Sequence, residues 1–125
     1  VVVVRAKDAL GRYGEQVAER YLTEAGWEVL GRNWRCPAGE IDLIARDGDV
    51  LVVCEVKTRR HDGYGGPFGA ITLPKLQRLR RLAATWLEAD EHRDTLRPRE
   101  IRVDVIGVWA PWGGRARVEH LRGVE

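Results

Sequence analysis

Glu40, Asp42, Glu55 and Lys57 are the residues of this chain whose types and spacing could do chemistry. They fall in Gly39-Glu40-Ile41-Asp42-Leu43-Ile44 and in Val53-Cys54-Glu55-Val56-Lys57, two segments that read as β-strands with alternating faces. Carboxylates in apolar strands are costly unless something compensates them, and a divalent cation does so well. Oxygen ligands from Asp42 and Glu55 suit Mg²⁺ or Mn²⁺, with a backbone carbonyl such as that of Val56 to complete the shell. Such a metal activates water and polarises a phosphoryl oxygen. A lysine two residues past the second acid can stabilise charge on a pentavalent transition state or orient the attacking water. The pattern points to metal-dependent cleavage of a phosphodiester.

The same residues admit simpler readings. Asp42 and Glu55 could be solvated carboxylates on the wet face of an antiparallel sheet. Lys57 could be an ion-pair partner of Glu40 or Glu55. Ile44, Leu51 and Val53 share that face, which argues that it is partly buried.

A hairpin must position these groups. Asp47-Gly48 is a strong hairpin signal. A two-residue turn there pairs Arg46 with Asp49, sets Asp42 across from Val53 and Glu40 across from Glu55. Asp42 and Glu55 then become diagonal neighbours on one face, with Cα atoms roughly 7–8 Å apart. Glu40 supports that site and does not form it. A three-residue turn without a bulge would put the two acids on opposite faces. The strands are expected at 27–34, 39–46 and 50–57. The second carries Ile41, Leu43 and Ala45 on one face and Glu40, Asp42 and Ile44 on the other. The third carries Val50, Val52, Cys54 and Val56 opposite Leu51, Val53, Glu55 and Lys57.

Helices must flank the hairpin. Residues 8–25 have Leu10, Tyr13, Val17, Tyr21 and Ala25 at helical spacing, with Gly26 as a stop. Gly11 and Gly14 weaken this helix by roughly 1 kcal/mol each relative to alanine, a cost that close packing on the sheet would offset. Glu15 lies at the edge of the apolar arc, beside Leu22, and can reach the rim of the sheet. A second helix is expected at 73–89, with Pro74 in its first turn. Its buried face is Leu76, Leu79, Ala83, Trp86 and Leu87, and Lys75 points toward the sheet. Residues 58–70 read as a glycine-rich loop and 90–99 as a polar one. Strands at 101–109 and 116–121 are joined through Pro111-Trp112-Gly113-Gly114. The order is α-β-β-β-α-β-β, and the second helix is long enough for a crossover to a parallel neighbour. The expected architecture is α/β, a mixed central sheet flanked by helices.

At 125 residues the chain is expected to form one domain, with residues 1–7 as a flexible tail. A hydrophobic fraction of 44% and a charged fraction of 32% are those of a globular protein. The net charge of +2 makes no case for nucleic acid, but its distribution does. Lys57, Arg59, Arg60, Lys75, Arg78, Arg80 and Arg81 are interrupted only by Asp62, and phosphate backbones are attracted to such stretches. Arg59, Arg60, Lys75, Arg78 and Arg81 are candidate phosphate contacts, Arg78 and Arg81 from the outer face of the second helix, the alternative being a solvated charge run. Trp109 and Trp112 flank the last turn and could stack on a base or pack. No phosphate loop, zinc spacing or Ser-His-Asp order is present. No signal peptide or membrane span is legible, so a cytoplasmic protein without a membrane partner is expected.

Gly11-x-x-Gly14-Glu15, Asn33-x-Arg35, Gly39-Glu40-Ile41-Asp42-Leu43-Ile44, Glu55-Val56-Lys57-Thr58-Arg59, Lys75 and Asp104 together resemble the bacterial YraN family. The likeness runs from about residue 9 to 121. That family is similar to the PD-(D/E)XK nucleases, especially Holliday-junction resolvases of archaeal type. The resemblance implies a restriction-endonuclease-like fold, metal acids Asp42 and Glu55, a catalytic Lys57 and a helical acid Glu15. It also implies Mg²⁺ or Mn²⁺, DNA in preference to RNA at branched or recombination intermediates, and a homodimer, since two strands must be cut. Ile41-Asp42 replaces the proline-aspartate of the superfamily name, a common variant. Superfamily members that have lost cleavage supply the alternative, an inactive nucleic-acid-binding or assembly module on the same fold.

Overall fold

The structure is a computed structural model and describes residues 6–61, 63–69, 71–89 and 96–124. Helix α1 (Ala6–Glu24) leads into β1 (Glu28–Cys36), β2 (Gly39–Asp47) and β3 (Val50–Arg59). A 3-10 helix, Gly63–Phe68, lies within the expected glycine-rich loop. Then come α2 (Leu73–Glu88), β4 (Glu100–Trp109) and β5 (Arg117–Leu121). Of the anticipated tail, residues 1–5 lie outside the described residues, while 6 and 7 already belong to α1. In the expected polar loop, 90–95 also lie outside them.

The five strands form one sheet in the order β1-β2-β3-β4-β5. β3 and β4 run parallel and every other neighbouring pair is antiparallel. The parallel pair requires a crossover, and α2 supplies it. One helix covers each face. Ala18 and Leu22 of α1 pack on Leu43, Ala45, Val52, Cys54, Val56, Ile106 and Val108. Leu76, Leu79, Leu82, Ala83 and Trp86 of α2 pack on Ile44, Leu51, Val53, Val103 and Val105. Burial on both faces is why β3 is apolar almost continuously until Glu55. Its alternation is the expected one, and Cys54 and Trp86 are core residues. Among the described residues no helix is long and apolar enough to cross a membrane.

Two expectations are corrected. The buried stripe of α1 is Gly14, Ala18 and Leu22, flanked by Val17 and Tyr21, whereas Tyr13 and Ala25 are exposed. The cause is close approach. A Cβ on Gly14 would lie 1.7 Å from Thr58 Oγ1, so the helix seats its small residue against β3 and rotates to do so. Gly11 faces open space and plays no such part.

The hairpin turn is Gly48-Asp49, and Asp47 pairs with Val50. Gly48 has φ +62° and Asp49 is not left-handed, so the positive φ falls at the first central position, the pattern of a type II′ turn. A turn centred on Asp47-Gly48 would demand left-handed backbone of Asp47 as well. Every partner therefore moves by two residues, Ile44 and not Asp42 facing Val53. An even shift keeps side chains on their faces.

Candidate functional site

The alternation of β2 breaks at Asp42. Ile41 packs with Ile44 on the α2 side, while Leu43 and Ala45 pack on the α1 side. The expected grouping of Ile41 with Leu43 and Ala45 is thus overturned. The reason lies in the ladder, whose last β2–β3 pair is Leu43 with Cys54. Beyond it the Asp42 side chain substitutes for backbone, Oδ2 accepting a hydrogen bond from the Val56 N–H at 2.9 Å. On the other flank Asn33 lies level with Asp42 and takes a left-handed φ of +49° inside β1.

Continuing the register by one residue brings Glu55 directly across from Asp42, closer than the diagonal relation expected. Glu55 and Lys57 are both about three-quarters buried, and Lys57 Nζ lies 3.3 Å from Glu55 Oε1. Of the two ion-pair partners considered for the lysine, the structure selects Glu55. Glu40 is held by Arg35 instead, with Nε and Oε2 at 2.9 Å. Glu15 is half-buried on α1 and hydrogen-bonded to the Asn33 side chain.

The acids act on one another. Burial pushes the Asp42 carboxyl up to about 7, the Val56 N–H opposes this, and the charges of Glu55, Glu15 and Glu40 raise it further. Burial also raises Glu15, aided by Glu40 and Glu55 and opposed by Asn33 and Arg35. Four carboxyl groups from α1, β2 and β3 therefore share one region of negative potential. A cation would relieve it. Among the described residues no three His, Cys, Asp or Glu side chains converge as a metal-binding group. Asp42 and Glu55 are the two carboxylates that could serve as donors, with further oxygens needed from backbone, water or substrate. That hard, incomplete set fits Mg²⁺ or Mn²⁺, which keep several outside ligands.

A cleft of about 200 Å³ opens on the α2 side, lined by Gly39, Glu40, Glu55, Lys75, Arg78, Leu79 and Leu82. Lys75 lines this cleft with Glu40 and Glu55, although the residue is exposed on α2. Arg78 was expected on the outer face, yet its stem runs over Gly39 and the residue lines the cleft. Arg81 remains on the exposed side of α2. Arg59 is half-buried and donates from Nη1 to the Thr58 carbonyl at 2.8 Å. Arg60 turns to the far end of β4, where Nη1 donates to the Ala110 carbonyl at 3.1 Å. A second hollow of about 180 Å³, on the α1 side, is lined by Arg12, Glu15, Gln16, Glu19, Arg32, Asn33 and Leu43. Asp42 feels acids from both sides of the sheet.

Asn33 is the positioning residue that strand spacing missed. Its signal was an asparagine, tolerant of left-handed backbone, inside an otherwise extended pattern. Asp104, quoted among the family motifs, belongs elsewhere. It is wholly buried on the α1 side, gripped by Arg102 Nε and Nη2 at 2.9 and 3.0 Å, by His120 Nε2 at 2.7 Å and by the Gly123 N–H at 3.0 Å. Burial alone would raise its carboxyl, but these bonds outweigh burial and hold it below the usual range. His120 Nδ1 in turn meets the Tyr21 hydroxyl at 3.0 Å, so the network ties α1 to β4 and β5.

Residues 14–108 match the uncharacterised protein family UPF0102. A UPF0102 protein of Beutenbergia cavernae is 58% identical over 122 residues, covering 97% of this chain and 99% of its own. One of Kineococcus radiotolerans is 56% identical over 124 residues, covering 99% of each. One of Streptomyces griseus subsp. griseus is 54% identical over 121 residues, covering 97% of this chain and 99% of its own. Glu15, Asn33, Asp42, Glu55 and Lys57 all fall inside the matched span. The chain belongs to the UPF0102 family, the YraN-type group that its motifs resemble.

Proposed function

We propose that the protein is a metal-dependent nuclease hydrolysing DNA phosphodiester bonds on a restriction-endonuclease-like fold. One observation carries this reading. Asp42 sits in the break between β2 and β3, its carboxyl raised to about 7 by burial and by three neighbouring acids, across from Glu55 and its ion-paired Lys57. Holding these charges together without a counter-cation opposes folding, which suits a site whose purpose is to bind one.

Asp42 and Glu55 would hold Mg²⁺ or Mn²⁺. When bound, the metal supplies Lewis acidity and a water of lowered pKa. Lys57 places an ammonium beside the Glu55 oxygens, where it stabilises charge on the phosphorane and orients the incoming water. Glu15, with its raised proton affinity and its Asn33 partner, can hold a proton from that water. Lys75 and Arg78 line the adjoining cleft and offset the repulsion between the acids and a phosphate backbone.

The test is a panel of duplex, single-stranded, flapped and four-way DNA with Mg²⁺ or Mn²⁺. At least one form should be cut. Asp42→Ala or Glu55→Ala should reduce the rate by more than roughly 100-fold, since partners outside the metal's own ligands are already worth 10- to 100-fold. Cleavage surviving both substitutions would sink the assignment. Salt-dependent binding with no cleavage by either metal would replace it with the inactive binding module.

A further inference from the structure

Beyond Lys57 the sheet ends in a surface that the acidic site does not use. Trp112, in the turn between β4 and β5, is 87% exposed. The guanidinium of Arg60 lies 3.8 Å from its ring centroid and is itself tied to the Ala110 carbonyl. Next to it, Arg117 at the start of β5 lies 4.4 Å from the centroid of Trp109 at the end of β4, whose ring centroid is 6.0 Å from that of Phe68 at a steep angle. Two tryptophan–arginine pairs thus stand together. Arg59, Arg60, Arg115 and Arg117 lie along this end, with Glu119 of β5 level with Lys57 across β4.

We propose that this platform holds an unpaired stretch of DNA, a base stacking on the open face of Trp112 while Arg60 backs the other. The inference rests on the nuclease reading and deepens it, because it gives the substrate single-stranded character beside the scissile phosphate. Three arguments carry it. Stacking needs a free base face, which the interior of a duplex does not offer but a flap, loop or branch does. A ring held by a cation and a short turn loses little freedom on binding. The side chains against the two rings, Arg60 and Arg117, are both cationic, which suits a phosphate backbone. The distance is suitable too: Arg60 follows Lys57 by three residues, roughly 10 Å along a strand.

The experiment is fluorescence anisotropy with a labelled 12-nucleotide single strand and a blunt duplex of equal length, in EDTA. Trp112→Ala should weaken single-strand binding about 10-fold or more and leave duplex binding unchanged. Trp112→Phe should keep most of the affinity. Circular dichroism confirms folding, which an exposed side chain should not disturb. No single-strand binding by the unaltered protein overturns the inference. So does Trp112→Ala within twofold of it, or an equal loss on duplex. Metal is absent, so the outcome is independent of cleavage. Trp112-dependent binding by a protein that cuts nothing upholds the platform and rejects the nuclease. Asp42-dependent cleavage with Trp112-independent binding does the reverse.

Discussion

Asp42 opposes folding where it stands, and the direction of that effect with pH follows from its titration. In the unfolded chain an aspartate titrates near 3.9, roughly; in the fold Asp42 titrates at about 7. Between those values the folded protein holds a proton that the unfolded chain has released. The contribution of Asp42 is therefore fully favourable below about pH 4 and is lost as pH rises through 7. Asp104 runs the other way. Its carboxyl is lowered, so its contribution is present above the ordinary aspartate range and is lost only as pH falls through the depressed value. Asp42→Asn keeps the shape and an acceptor for the Val56 N–H while removing the charge. It should stabilise the metal-free protein at pH 8 by on the order of 2 kcal/mol and flatten the decline between pH 5.5 and 8. Urea unfolding in EDTA at the two pH values is the measurement. An unchanged or lowered stability at pH 8 would show that Asp42 is not held against its own charge.

At the scale of elements, the closest approach of α1 to the sheet is at Gly14, beside the packing of Ala18 and Leu22 and the Tyr21–His120 bond. Gly14→Ala gains about 1 kcal/mol of helix propensity but forces a methyl to 1.7 Å from Thr58 Oγ1. Overpacking of this kind costs roughly 1–3 kcal/mol and wins, because the obstacle is a β-branched side chain on a central strand. The thermal midpoint should fall, and Gly14→Ala with Thr58→Ala should recover part of the loss. Equal midpoints for Gly14→Ala and the unaltered protein would refute the contact. Glu15 is the next residue along, so the single substitution should also slow any cleavage. The ends of most elements were legible from spacing, turn residues and Pro74. The rotation of α1 was not, since helical periodicity ranks apolar residues and gives a glycine no weight. The hairpin register was off by two for a related reason: Asp47-Gly48 marks a turn, but which residue takes the positive φ depends on how both strands pair.

For the whole molecule, the sheet is a partition that brings unlike groups to one strand break. Acids arrive from α1, β2 and β3, and the cations Lys75 and Arg78 from α2. These parts should separate by experiment. Calorimetric titration should show Mn²⁺ binding that Asp42→Ala and Glu55→Ala abolish and the Lys75→Ala/Arg78→Ala pair leaves intact. The pair should instead weaken DNA binding and reduce the slope of log affinity against log salt by up to about 2. Loss of Mn²⁺ binding in the pair would mean that these cations shape the acidic site itself.

The sequence by itself determined the α-β-β-β-α-β-β order, the two-faced alternation of β3 and the common side of Glu55 and Lys57, because those follow from residue spacing along one segment. Tertiary structure alone decided that Asp42 leaves the ladder and bonds to Val56 and that Asn33 takes a left-handed φ beside it. It also decided that Arg78 bends into the cleft while Arg60 leaves for Trp112. Each of these depends on a partner supplied by another element. A strand pattern records which face a side chain takes only while the strand stays regular, and this site is built where one strand stops being so.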